Sequence, residues 1–195
     1  MSANTGDALG DTYDSIELFA GSNFADTIIG SDSDINILIG GGGGDHLIGG
    51  AFLDSAAYIL STQGIVANLK NPGSNTGEAA GDTYSSIEGL IGSNFNDTLV
   101  GDDNDNVLAG GLGADTLNGG LGMDLAAYLR ATWPIVASLG SPSINTGEAR
   151  GDVYVSIEGL VGSDFGDTLI GDAGKNVFFG GLGGDHFDGA GGDDA

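Results

Sequence analysis

An acidic or amide residue recurs about every nine positions along most of this chain, and an apolar residue stands two positions behind each one. In the middle of the sequence the polar series is Glu88, Asp97, Asn106, Asp115 and Asp124, followed by Leu90, Leu99, Leu108, Leu117 and Ala126. Earlier it is Glu17, Asp26, Asn36, Asp45 and Asp54, followed by Phe19, Ile28, Leu38, Leu47 and Ala56. Later it is Glu158, Asp167, Asn176, Asp185 and Asp194, with Leu160, Leu169, Phe178 and Phe187. A longer period contains this one. Asn4-Thr5-Gly6 returns as Asn75-Thr76-Gly77 and Asn145-Thr146-Gly147, at offsets of 71 and 70. The single extra residue lies between Gly30 and Asn36. The chain divides into units 1–72, 73–142 and 143–195, the third incomplete, expected to form one continuous solenoid.

Side chains alternate faces along a strand, so a three-residue strand points one apolar residue inward. A glycine-rich turn then reverses the chain. Two such half-turns make a coil of about 18 residues, and coils stack in parallel about 4.8 Å apart. The expected fold is all-β: a parallel β-roll, right-handed if the crossover rule holds, with almost no helix. No rung buries its apolar residue alone, so stability accrues by stacking.

Composition makes such stacking difficult without help. The chain has 195 residues with 28 Asp or Glu against 4 Lys or Arg, a formal charge of -24. A surface this acidic repels phosphate and excludes nucleic-acid binding through a basic face. There is no cysteine, hence no disulfide and no thiolate metal site. No apolar run approaches the ~18 residues of a membrane span, and Met1–Asp7 lacks the regions of a signal peptide. Residues 18 apart fall on one edge of the roll, so Asp97 with Asp115, Asp167 with Asp185, and Asp26 with Asp45 (19 apart) place like charges together. A cation relieves that repulsion.

The turns carry Gly-Gly-x-Gly-x-Asp four times, at 40–45, 110–115, 119–124 and 180–185. In this pattern the chain strongly resembles the repeats-in-toxin (RTX) calcium-binding nonapeptides. The resemblance covers roughly two-thirds of the sequence; 55–81 and 125–151 look like the connectors of bacterial secreted RTX proteins. It implies several bound Ca2+ ions. Calcium takes six to eight hard oxygens at about 2.3–2.6 Å, which glycine-turn carbonyls and a short Asp stem can provide. The candidate metal residues are Asp26, Asp45, Asp54, Asp97, Asp115, Asp124, Asp167, Asp185 and Asp194, with Gly40, Gly42, Gly110, Gly113, Gly119, Gly122, Gly180 and Gly183. Glu17, Glu88, Glu158, Asp11, Asp82 and Asp152, in register with them, and Asn106 and Asn176 complete the set. Asn36, Asn106 and Asn176 replace Asp and are expected to weaken their sites. Phe24, Phe95 and Phe165 stand where the fourth-position glycine belongs and are read as packing plugs.

Other signals take plain readings. His46 and His186 each follow an Asp but have no second His or Cys beside them for zinc, and are expected to face solvent. Trp133 is read as the cap of a local apolar cluster, with a partner-binding anchor as the alternative. Tyr13, Tyr84 and Tyr154 recur in register and read as packing. Neither His-Glu-x-x-His nor Gly-x-Ser-x-Gly occurs, and no catalytic activity is expected in this chain. The resemblance implies a secreted, bacterial, extracellular protein exported through a type I system and folded by calcium outside the cell. Rungs around Phe178 and Phe187 are expected either to stack on those around Phe19 and Ile28 of another copy, giving a matrix, surface layer or filament, or to stay unpaired in a monomer. The alternative is the C-terminal RTX module of a larger secreted enzyme, toxin or adhesin.

Overall fold

The computed structural model describes residues 16–195. The first stretch holds β1 (Leu18–Ala20), β2 (Thr27–Ile29), β3 (Ile37–Ile39), β4 (His46–Ile48), β5 (Ser55–Ala57), β6 (Val66–Asn68) and β7 (Thr83–Ser85). Then come β8 (Gly89–Ile91), β9 (Thr98–Val100), β10 (Val107–Ala109), β11 (Thr116–Asn118), β12 (Leu125–Ala127), β13 (Val136–Ser138) and β14 (Val153–Val155). The last are β15 (Gly159–Val161), β16 (Thr168–Ile170), β17 (Val177–Phe179) and β18 (His186–Asp188). Among the described residues there is no α-helix, only 3-10 turns at Pro72–Ser74, Gly77–Ala79, Pro142–Ile144 and Gly147–Ala149. Every named strand is three residues long and pairs in parallel, as expected for a β-roll.

One side of the roll is an unbroken eight-stranded sheet, β1-β3-β5-β8-β10-β12-β15-β17. Its central residues form an inward ladder from Phe19 through Leu38, Ala56, Leu90, Leu108, Ala126 and Leu160 to Phe178. The opposite side carries Ile28, Leu47, Leu99, Leu117 and Leu169. Leu38, Leu47, Leu90, Leu99, Leu108, Leu117, Leu160 and Leu169 are fully buried. Each such leucine contributes about 1.5–3 kcal/mol relative to exposure, available only when coils lie above and below it.

The connectors split the second side into three sheets, β2-β4-β7, β6-β9-β11-β14 and β13-β16-β18. The coil that begins at β5 sends β6 under β9, loops through the two 3-10 turns, and returns as β7 on β4. A polar knot fills the widened coil. The hydroxyl of the buried Tyr58 donates to Asp82 Oδ2 at 2.8 Å and meets the Tyr84 hydroxyl at 2.5 Å, while Asn75 Nδ2 donates to that Tyr84 oxygen at 3.0 Å. Tyr128, Asp152, Tyr154 and Asn145 repeat the knot. Tyr84 and Tyr154 therefore pack as expected; Tyr13 lies outside the described residues.

Two packing expectations are corrected. Phe24, Phe95 and Phe165 are not plugs: all three are exposed, because the fourth turn position faces away from the core and its N–H is held by the serine two residues back, at 3.0 Å for Phe95. Trp133 caps no cluster; its indole is 75% exposed. The Ile135 N–H donates to Asp167 Oδ1, which puts Trp133 in register with Phe165, at the same outward-facing position. The His46 ring is half-buried with Nδ1 2.7 Å from Thr83 Oγ1, and His186 is exposed.

Candidate metal turns

Each acid passes a hydrogen bond from coil to coil. The backbone N–H of Asp97 donates to Oδ1 of Asp115, and that of Asn106 to Asp124, both at 2.8 Å. The same contact joins Asp26 to Asp45, Asn36 to Asp54, Asp167 to Asp185, and Asn176 to Asp194 at 2.7–3.0 Å. The three same-edge pairs expected from the spacing are thus brought together. The connectors continue the ladder: the Asp45 and Asp115 amides donate to Asp82 and Asp152, and those of Asp54 and Asp124 to Glu88 and Glu158. On that second edge a three-residue link (86–88 or 156–158) replaces a six-residue turn, and glutamate's longer stem spans the difference. Glu17 joins through its carbonyl, which accepts from Ile37 N–H, with its side chain exposed. Asp11 lies outside the described residues.

The second carboxylate oxygen separates the turns into kinds. In the Gly-Ser-x-Phe-x-Asp turns the serine serves it: Ser93 donates to Asp97 Oδ2 from N–H at 2.5 Å and from Oγ at 2.9 Å. Ser22 on Asp26 and Ser163 on Asp167 do the same. Asp54 takes the Gly50 N–H at 2.5 Å, and Asp82 and Asp152 take a tyrosine hydroxyl. Where Asn replaces Asp, its Oδ1 accepts the amide of Ser31, Asp102 or Asp172. The Asn36 amide group then donates to the Ser31 and Asp34 carbonyls and to Asp54 Oδ1. Against these stand Asp45, Asp115 and Asp124, each buried with Oδ2 lacking any hydrogen-bond partner.

Those three belong to intact Gly-Gly-x-Gly-x-Asp turns, and the backbone explains the difference. In the turn ending at Asp115, Gly111 has φ 90° and Gly113 φ 144°. A left-handed conformation at the second position goes with the absence of an N–H donor on the aspartate. Gly41 with Gly43, Gly120 with Gly122, and Gly181 with Gly183 share it; Ser22, Gly50, Ser93 and Ser163 do not. Glycine is needed there on space as well: a Cβ on Gly111 would strike the Ser93 carbonyl oxygen, and one on Gly113 would sit 2.7 Å from that of Phe95. Gly40, Gly110, Gly119 and Gly180 lie over the aspartate, where a Cβ would fall on Oδ2. Gly42 has only Asn23 atoms nearby, at 3.6 Å, so Gly41 and Gly43 rather than Gly42 shape the first intact turn.

Burial raises carboxylates on both sides of this division, and Asp115 most. Burial pushes Asp115 up to about 8, aided by the carboxylates of Asp152, Asp97 and Glu148 and opposed by the Asp97 amide. Burial likewise raises Asp45 and Asp124 to about 6. Asp152 also rises to about 6 through burial, and Asp82 and Glu88 rise for the same reason. Without a cation, burial makes ionisation of Asp45, Asp115 and Asp124 more costly than in water.

Among the described residues no three His, Asp or Glu side chains converge to hold a metal by themselves. The donor set that remains is one short carboxylate and the peptide carbonyls of a glycine turn, all hard oxygens. That set suits calcium, which tolerates irregular oxygen cages, and an unpartnered buried carboxylate oxygen is an available ligand. The serine pattern was legible in Gly21-Ser22, Gly92-Ser93 and Gly162-Ser163; the part played by Tyr58 and Tyr128 had no signal beyond their recurrence at a spacing of 70.

No curated protein sequence matches the chain. Residues 91–125 and 161–195 match the family model of the RTX calcium-binding nonapeptide repeat (4 copies). The chain therefore carries RTX calcium-binding nonapeptide repeats, laid down as a parallel β-roll.

Proposed function

We propose that this protein is an extracellular structural β-roll, secreted by a bacterium, whose folding is coupled to calcium binding at its intact glycine turns. The carrying observation is the trio of buried carboxylate oxygens without donors on Asp45, Asp115 and Asp124. Asp185, in the fourth intact turn, and Asp194 belong with them by register. Calcium, when bound, supplies positive charge against the carboxylates and completes their coordination. The chain's own residues do the rest. The glycines at the second and fourth positions turn their amides off the aspartate, and the amide of the coil beneath fixes Oδ1. The three units 1–72, 73–142 and 143–195 act as one solenoid in this reading, with the connectors inserted as widened coils.

The resemblance to RTX proteins supports secretion, and so does the charge of -24, which opposes folding in low calcium. No helix among the described residues is long and apolar enough to cross a membrane. The translational register that stacks coil on coil inside the chain would also stack copies end to end. The test is circular dichroism of the purified chain in millimolar calcium and in excess chelator. A reversible gain of strand signal with calcium supports the reading, and identical spectra overturn it. Sedimentation at rising concentration in calcium tests assembly, which a monomer throughout refutes.

A further inference from the structure

We propose that the residue pair at the second and fourth turn positions, rather than the aspartate at the sixth, decides which turns use calcium. This rests on the calcium reading above. All these turns bring an Asp or Asn to the same place, so the acid alone cannot distinguish them. The contrast is sharpest between two turns stacked on one edge. In 92–97 Ser93 stands second and Phe95 fourth; the Ser93 N–H and Oγ both reach Asp97 Oδ2. One coil on, in 110–115, Gly111 and Gly113 stand at those positions with φ 90° and 144°, and Asp115 Oδ2 has no donor. Serine fills the oxygen's hydrogen-bonding capacity from within the chain. Glycine in the left-handed region withdraws that donor and leaves the oxygen to a cation.

Gly50 provides an internal control. It is a glycine at the second position, but Phe52 stands fourth and the φ of Gly50 is not positive. Its N–H accordingly donates to Asp54 Oδ2 at 2.5 Å. The second glycine is therefore insufficient without the fourth. The Asn turns reach the same end by another route, with Asn106 accepting the Asp102 amide and donating from Nδ2 to the Glu88 carbonyl at 3.2 Å. Calcium demand in the middle unit then falls on 110–115 and 119–124, while 92–97 and 101–106 are satisfied from within.

The experiment exchanges the turn types in the full chain: Gly111→Ser with Gly113→Phe, and separately Ser93→Gly with Phe95→Gly. Calcium stoichiometry is read by titration calorimetry, with circular dichroism recorded on the same samples. The expected results are one ion fewer than wild type for the first variant and one more for the second, each with wild-type strand signal in saturating calcium. If the first variant does not fold, the second carries the test. Wild-type uptake with an unchanged stoichiometry in a folded variant overturns the proposal and leaves the calcium reading standing. A wild-type chain that takes up no calcium overturns both.

Discussion

The backbone N–H of Asp115 donates to Oδ1 of Asp152 at 3.0 Å, joining a glycine turn to the connector above it. The two carboxylates differ only in their second oxygen. That of Asp152 holds the Tyr128 hydroxyl at 2.8 Å, and that of Asp115 holds nothing. Asp152 thus has a donor on each carboxylate oxygen, whereas Asp115 keeps one buried oxygen open to a ligand.

Calcium should be required for folding and magnesium should not replace it. Sites of the extracellular class bind at about 10⁻⁴–10⁻³ M, and magnesium demands a tighter octahedral shell than a glycine turn provides. A titration followed by circular dichroism is expected to show the strand transition with calcium in that range and none with magnesium at equal concentration. Equal midpoints for the two ions would count against the oxygen cage described here.

Asp115→Ala should weaken calcium-coupled folding more than Asp188→Ala. Asp115 is buried within the ladder, while Asp188 sits exposed on β18, its Oδ1 accepting only the Ala190 N–H. The check is the calcium midpoint of each variant; equal midpoints would show that position in the register is irrelevant.

Acid should partly substitute for calcium. Asp115 titrates near 8 and Asp45, Asp124 and Asp152 near 6 in the cation-free fold, all above the ordinary value of 3.8. A raised folded-state value means the fold binds the proton more tightly than the unfolded chain does. The stabilisation is complete below the unfolded value and is lost as pH rises through about 6 and then about 8. In chelator, the strand signal at pH 5.5 should therefore exceed that at pH 8.5. More structure at the higher pH would contradict the sign.

Tyr128→Phe should destabilise the calcium-loaded roll by about 1–3 kcal/mol, since it strips the hydroxyl from a buried Asp152 oxygen. Phenylalanine keeps the ring, so packing is unchanged. Denaturant unfolding in saturating calcium measures the difference, and a neutral substitution would mean that water fills the gap.

Leu108→Ala should cost about 2–5 kcal/mol, the usual range for emptying a closed core position. Leu108 is fully buried between Leu90 and Ala126 in the ladder, and the small alanine above cannot close the gap. Leu112→Ala, at an exposed turn position, is the matched control and should leave the unfolding midpoint unchanged.

The nine-residue recurrence was enough to fix the three-residue strands, the inward positions from Phe19 to Phe187 and the shared edges of Asp97 with Asp115 and Asp167 with Asp185. These follow from alternation along a strand and equal coil length, both local properties of the chain. Tertiary structure alone decided three further matters. It split the second side of the roll at the connectors, because whether β6 and β7 lie on one coil or face opposite neighbours depends on contacts far apart in sequence. It turned Phe95 and Trp133 outward, where their apolar character had suggested burial. It also separated satisfied from unsatisfied carboxylates: Asp97 and Asp115 are the same residue at the same repeat position, but Ser93 donates to the first from N–H and Oγ, while Gly111 and Gly113, both at positive φ, leave the second without a donor.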